Sequence, residues 1–289
     1  MIRRPMTMAF FRLLFVVGFF FVAINAAHSR RRIVVRESSR PTYDRSITTF
    51  DPDGRLLQVE YGLQASQRGA TVLALFQQKE TMIVLVQGGS FGKCHRLDHH
   101  LWLFTSGLSG DARLLAQVLR QHAQDHRVAF GEVITSRELA KVAAQLQHQL
   151  TRTGGARPLG CSALIVGVDT PTNNQPGKVR LFQTDPGGIV EQINDFGVIG
   201  KQRVTLVKEL SASQKQDKDS SVMETAAALA KKVFNLEKSS DKTKGSERSM
   251  LDIWVIQPHV DKRGGLQATC YRNVDEKSLS LLQEMSTDS

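Results

Sequence analysis
The chain has 289 residues, with 38 Lys and Arg against 28 Asp and Glu, for a net charge of +10. That length holds one large domain or two small ones, and a domain of about 240 residues buries roughly three quarters of its unfolded surface, so its core needs no covalent staple. The excess charge is concentrated: residues 1–42 carry eight arginines and one acid, Glu37, for +7, which leaves +3 for the rest. The body has no basic face interleaved with aromatics, so no nucleic-acid partner is expected.

Residues 1–26 read as a secretory signal. Arg3, Arg4 and Arg12 give a positive start, and Leu13 to Ile24 is an apolar run shorter than a membrane span. Asn25-Ala26-Ala27 offers small residues for cleavage after Ala26, with Ile24 off pattern at the −3 position. Residues 27–42 are rich in Arg and Ser and poor in acids, as transit segments are. The pair resembles the bipartite leaders of proteins imported into complex plastids through the ER. By that resemblance the non-aromatic Ala27 points to the space between the outer and inner membrane pairs, not the stroma. Membrane contact is then expected only through the leader before cleavage. Three other readings stay open: a signal anchor that remains in the membrane, a basic disordered arm, and a chain whose true start lies near Tyr43.

Tyr43 to Thr71 organises the rest of the chain. Asp51-Pro52-Asp53-Gly54 is turn chemistry, since Pro pre-sets φ, Gly accepts positive φ and Asp bonds the local backbone. Leu57, Tyr61 and Ala65 then recur at helical spacing. Gly69 breaks the helix, and 71–76 reads as a buried strand. With 82–87 it forms a hairpin around the polar turn 77–80. A third strand is expected at 101–106. A helix comes next over 111–127, with Ala112, Leu115, Ala116, Leu119 and Ala123 on one face. A second helix spans 135–150. Thr135 and Glu138 form its capping box, and Ile134 and Leu139 are placed for a hydrophobic staple. Its core face is Leu139, Val142, Ala143, Leu146 and Leu150.

After the break at 154–158 come a strand at 161–168, a polar turn at 170–178, and a hairpin of 179–184 with 189–193. A Lys-rich helix is expected near 222–236, a solvated Ser-rich loop at 237–249, a last strand at 251–256 and a weakly patterned tail. The three cysteines, Cys94, Cys161 and Cys270, form no disulfide framework and have no metal spacing, and Cys161 sits in an apolar run as a small buried hydrophobe. A reducing compartment is the expectation. Strands in hairpins with two adjacent long helices predict antiparallel sheets covered by helices.

Several motifs come one after another in order: Tyr43-Asp44-Arg45, Asp51-Pro52-Asp53-Gly54-Arg55, Gln58-Val59-Glu60-Tyr61-Gly62, Thr105-Ser106-Gly107-Leu108 with Asp111-Ala112-Arg113, Gly154-Gly155 with Arg157-Pro158 and Gly160, and Leu181-Phe182-Gln183-Thr184-Asp185-Pro186 with Gly188. Together they resemble the α-type subunits of the proteasome core particle, from Tyr43 to about Gly200. The resemblance implies an α+β fold: a four-layer αββα sandwich of two stacked antiparallel sheets, the Ntn-hydrolase fold. It divides the chain into leader segments at 1–26 and 27–42, an α-subunit domain at 43–260 and a tail at 261–289.

The resemblance also implies a role: a non-catalytic ring subunit in ubiquitin-dependent protein catabolism, not an enzyme by itself but part of a threonine-type endopeptidase complex. The partners would be neighbouring α subunits, β subunits and the C-terminal tails of activators, in cytoplasm and nucleus if there is no leader. No cofactor is implied. Catalytic subunits of this fold use an N-terminal Thr whose own amine is the base. In register that position is Gly69, the family's Lys is Lys93, and no carboxylate stands at the acidic position near Gln87-Gly88. No catalytic residue is expected. Gly69, Lys93 and Leu108 match the pocket that receives activator tails, where a Lys pairs with a tail carboxylate. Tyr43, Asp44, Pro52 and Tyr61 match the cluster that holds the entry gate open. One departure stands out: between Val86 and Lys93 the family usually carries a longer segment, so the pocket around Lys93 is expected to be altered.

Other chemistry is weaker. Gln87 to Cys94 resembles a phosphate loop but has Gln87 at the first Gly position and Cys94 where Ser or Thr would follow Lys93. Gly107-Leu108-Ser109-Gly110 is not a nucleophile elbow. His95, His99 and His100 with Asp98 could suggest a metal, but His99 and His100, read as strand residues, would point to opposite faces, and His122 and His126 lack the Glu of a zinc helix, so no metal is expected. The alternatives are a divergent stand-alone paralogue of the same fold, or a ring scaffold in an organelle.

Overall fold
In the computed structural model the described residues are 42–44, 46–77, 81–168, 178–213, 228–231, 251–259 and 265–274. Among them, the strands alternate their apolar side chains between an inner and an outer core, which buries each sheet on both faces. The chain divides into two units, Met1–Thr42 and Tyr43–Ser289. The leader, the loop at 237–249 and most of the Lys-rich helix lie outside the described residues; 228–231 of that helix are helical.

The first sheet has the order β10-β9-β2-β1-β8, with β1 Val72–Gln77, β2 Thr81–Gln87, β8 Phe196–Ile199, β9 Leu251–His259 and β10 Gly265–Val274. The second has the order β3-β4-β5-β6-β7, with β3 Cys94–Asp98, β4 Leu101–Gly107, β5 Cys161–Val168, β6 Val179–Thr184 and β7 Val190–Ile193. Each of these pairings is antiparallel. The expected hairpins of β1 with β2 and of β6 with β7 both form.

The layers come from the period of two. Val72, Ala74, Met82, Val84 and Val86 face Phe104, Leu164, Val166 and Leu181 of the other sheet, and Trp254 packs on Trp102 and Phe104 across the same space. The alternate residues, Leu73, Ile83 and Leu85, pack outward on Leu206 and Leu210 and on Leu229 and Ala230. Leu103, Ala163 and Ile165 pack outward on the two long helices. The result is the four-layer sandwich of two stacked antiparallel sheets.

Helix α1 is Leu57–Gln67, α2 Ser109–Phe130, α3 Ser136–Leu150 and α4 Arg203–Ser213. The expected apolar face of α2 is fully buried. Helix α3 starts on Thr135, whose side chain accepts from the Glu138 amide while Glu138 bonds back to the Thr135 N–H. Ile134 and Leu139 share one core. Helix α1 differs from expectation: its buried residues are Gly62 and Ser66, and Tyr61 is exposed. Small residues, not large apolar ones, let α1 approach β4 and β5.

Strands β3, β8 and β10 and helix α4 are additions to the elements that the sequence pattern predicts. Strand β3, CHRLD, is a polar edge strand, and β8 is only four residues long. Strand β10, in the stretch read as a tail, pairs along β9 from Gly265–His259 to Val274–Leu251 and forms the sheet edge. His99 and His100 lie in the turn between β3 and β4, not on a strand.

Candidate functional site
The opening turn is built as its sequence suggests. Asp51 accepts from the amides of Asp53 at 3.0 Å and Arg55 at 2.7 Å, and Gly54 takes φ 78°. Arg55 closes the turn with ion pairs to Asp51 and Asp53 at 3.2 and 3.1 Å. Tyr43 and Asp44 lie in a 3₁₀ turn, Thr42–Asp44, and the Asp44 carbonyl accepts from the Gln58 side chain on α1. Pro52 is exposed at the turn and Tyr61 is 45% exposed on α1. Among the described residues, these four side chains make no hydrogen bond to one another. Pro52 and Tyr61 are exposed, and Tyr43 and Asp44 are half-buried.

Gly69 ends α1 and leads into β1. A Cβ there would lie 2.1 Å from the Gly107 nitrogen, 2.5 Å from Ser106 Oγ and 2.7 Å from Gly107 Cα. Its N–H donates to Ser66 O at 3.2 Å, and its carbonyl accepts from Lys201 at 3.0 Å. It is an ordinary chain amide, and no side chain fits. Gly107, at φ 116°, is held in the same way: a Cβ on it would meet Gly160 O at 2.1 Å. Buried hydroxyls stitch this seam. Ser106 Oγ donates to Ala70 O at 2.7 Å, and Ser162 Oγ to Ser66 Oγ at 3.0 Å. Leu108 comes directly after Gly107, donates its N–H to Gly160 O at 3.0 Å, and is 47% exposed. The structure thus sets Gly69 and Leu108 at the same end of β4.

Lys93 joins them through the backbone, since its carbonyl accepts from Thr105 N at 2.7 Å. Its ammonium is held by its own turn, donating to Gln87 O at 2.7 Å and Gly88 O at 3.4 Å. Burial pushes the Lys93 ammonium below its ordinary value, and Asp252 pulls it back up. The short segment crosses from one sheet to the other with Gly88, Gly89 and Gly92 at φ 67°, 81° and 71°. Asp252 on β9 fastens it: its Oδ2 accepts from Ser90 N at 2.7 Å and Ser90 Oγ at 2.6 Å. At the acidic position stands Gln87, whose Oε1 accepts from Thr71 N at 2.8 Å. Lys93 leads into strand β3, whereas a phosphate loop would open a helix there. The Asp252–Ser90 anchor leaves no mark in the sequence, because nothing local relates residues that far apart.

Three further features surround this end. Arg157 pairs with Asp111 through both nitrogens at 2.7 Å, and Asp111 also accepts from Gly160 N at 2.8 Å. Burial pushes the Cys161 thiol up to about 12, which suits the small core residue expected. Asp98 gathers His99, His100 and Arg127. Burial works to raise the Asp98 carboxyl, but hydrogen bonds from Arg127 and from the His99 amide and ring outweigh it and hold it at about 2. His126, on α2, stacks on Phe130 at 4.6 Å.

Comparison with known proteins matches this architecture. The family model described as "Proteasome subunit" covers residues 66–253, and a second model, the N-terminal signature of A-type proteasome subunits, covers residues 43–65. The chain is similar to the proteasome subunit alpha of Methanopyrus kandleri, 32% identical over 256 residues, spanning 86% of this chain and 94% of the relative. It is 37% identical to that of Archaeoglobus fulgidus over 172 residues, 56% of this chain and 67% of the relative. It is 34% identical to that of Methanococcus vannielii over 228 residues, 76% and 83%. The two stacked antiparallel sheets and their helices are the Ntn-hydrolase sandwich of such subunits. The chain belongs to the proteasome α-subunit family.

Proposed function
We propose that the chain is a non-catalytic subunit of the α ring of a proteasome core particle, with a structural and gating role in ubiquitin-dependent protein breakdown. The observation that carries this reading is Gly69. Nucleophilic catalysis on this fold needs a hydroxyl and a free amine at that position. Here the residue is a chain amide with the Gly107 backbone 2.1 Å from where a Cβ would begin. The gate residues, half-buried Tyr43 and Asp44 with exposed Pro52 and Tyr61, then meet neighbouring α subunits in a mixed ring. Two phenols can hydrogen-bond a carboxylate across such a contact. Gly69, Lys93 and Leu108 form the floor of a pocket for activator tails. Lys93 spends donors on Gln87 and Gly88 and keeps the rest of its charge for a tail carboxylate.

The test is affinity purification of a C-terminally tagged chain from its native cell, with sedimentation and mass spectrometry. The expected result is a very large particle containing β-type subunits, and no peptide hydrolysis by the chain alone. A small species without β subunits, or peptidase activity in the isolated chain, overturns the reading.

The Arg- and Ser-rich leader favours delivery through the ER to a compartment of a complex plastid, with cleavage after Ala26. A fluorescent reporter fused to residues 1–45 is expected to enter the ER. Retention in the cytosol sinks the leader and restores the cytoplasm and nucleus as the site.

A further inference from the structure
We propose that Asp98, His99 and His100 bind a divalent transition-metal ion of the zinc type in the turn between β3 and β4. The turn brings the two imidazoles onto one side, with ring centroids 4.7 Å apart. One donor atom from each of the three residues lies within 4.8 Å of the other two.

His100 is the decisive residue. It is 1% exposed, and its Nε2 lies 2.8 Å from the Ile134 carbonyl, which can only accept. Nε2 therefore holds the proton and Nδ1 presents a bare lone pair. That buried nitrogen has no hydrogen-bond partner, and it faces Asp98 Oδ2 at 3.9 Å. The buried lone pair thus faces a carboxylate oxygen whose other partner is Arg127, and a cation between the two would satisfy the imidazole nitrogen. A ligating His whose other N–H is fixed by a backbone carbonyl is the common outer arrangement of protein metal sites.

His99 completes the set: its Nδ1 now donates to Asp98 Oδ1 at 2.9 Å, and metal binding would displace that proton to solvent. One carboxylate, two imidazoles and a water are a donor set that zinc takes. With bonds of about 2.0–2.1 Å, tetrahedral ligands lie roughly 3.3 Å apart, so movements of up to about 1.5 Å bring donor atoms that lie within 4.8 Å of one another to that spacing. Arg127 is the competitor, because its guanidinium already sits on Asp98 Oδ2. Metal binding exchanges one cation for another at that oxygen. It would tie the β3–β4 turn to the start of α3 and release the last turn of α2.

The test is a titration of metal-free, full-length chain with Co²⁺, read by the visible band of tetrahedral cobalt, followed by displacement with Zn²⁺. One equivalent is expected. His99→Ala, at a partly exposed side chain, is expected to weaken binding about tenfold or more without changing the circular dichroism. Arg127→Gln is expected to tighten it several-fold, which a merely structural turn would not do. Absence of the band in the wild type, equal binding by His99→Ala, or weaker binding by Arg127→Gln overturns the proposal.

Discussion

Asp111 and Arg157 meet at two points: each guanidinium nitrogen lies 2.7 Å from a different oxygen of the carboxylate. The same carboxylate receives the Gly160 N–H, so one side chain at the start of α2 fixes the approach to β5. Replacing Asp111 by Asn weakens this arrangement, and a loss of about 1–3 kcal/mol is expected in urea unfolding. The pair also has a pH signature. Burial works to raise the Asp111 carboxyl, but the bonds from Arg157 and Gly160 and the guanidinium charge hold it below its usual value. A carboxyl depressed in the folded state stabilises fully above its unfolded value of about 3.9, and the contribution fades as pH falls through the lower folded value. The gap between wild type and Asp111→Asn should be constant above about pH 4 and shrink below it.

Gly69→Ala should be far more damaging than an ordinary glycine substitution. The added Cβ would lie 2.1 Å from a backbone nitrogen that is itself locked between α1 and β5. Overpacking typically costs about 1–3 kcal/mol, and a collision with backbone belongs at or above the top of that range. Loss of soluble chain, or a thermal midpoint lowered by about 6 °C or more, is the expected outcome. An unchanged midpoint would mean that the seam is looser than its geometry.

Removing the cap of α3 makes a milder comparison. Thr135→Ala deletes one half of the capping box and leaves the Glu138 amide without its partner. The cost should be about 1 kcal/mol, or roughly 2–4 °C in the midpoint for a domain of this size. Glu138→Gln should cost less, since an amide oxygen still reaches the Thr135 N–H.

Ser90→Ala and Asp252→Asn probe the short crossing between the sheets. The serine change removes one bond to Asp252 Oδ2, and the aspartate change weakens two. Hydrogen bonds to a charged group are worth about 1.5–3 kcal/mol, so Asp252→Asn should be the worse of the two. Amide exchange at 88–93 should accelerate in both variants, while α2 and α3 stay protected. Uniform acceleration across the chain would show that the anchor holds the whole fold.

The helices and strands that are legible in the sequence share a cause. In α2, Ala112, Leu115, Ala116, Leu119 and Ala123 repeat at helical period, and in β5 eight consecutive residues are buried. Each pattern is local and strong. Strand β3 is not legible, because CHRLD owes its structure to pairing with β4, not to its own composition. The buried face of α1 is hidden for a related reason. Leu57, Tyr61 and Ala65 have the right period, but the buried residues are Gly62, against Pro158, Leu159 and Pro186, and Ser66, which bonds Ser106 and Ser162 of β4 and β5. At the site, Gly69 and Leu108, which the motif register pairs, lie at one end of β4. The register carries no trace of the Asp252 anchor, which joins residues far apart in the chain, and the strand reading of His99 and His100 hides the turn that brings both rings to Asp98.

The seam of Gly69, Gly107 and Gly160 has a consequence for how this lineage can change. Each glycine's missing side chain is the space occupied by the next one's backbone or by a neighbour packed on it, so the positions constrain one another. A side chain at residue 69 must displace the Gly107 backbone, so any chemistry introduced there comes with a stability cost. Restoring room there requires β4 to shift, and β4 is paired on both sides, to β3 and to β5. Room at residue 69 therefore comes only with coordinated change along the strip, not from one substitution.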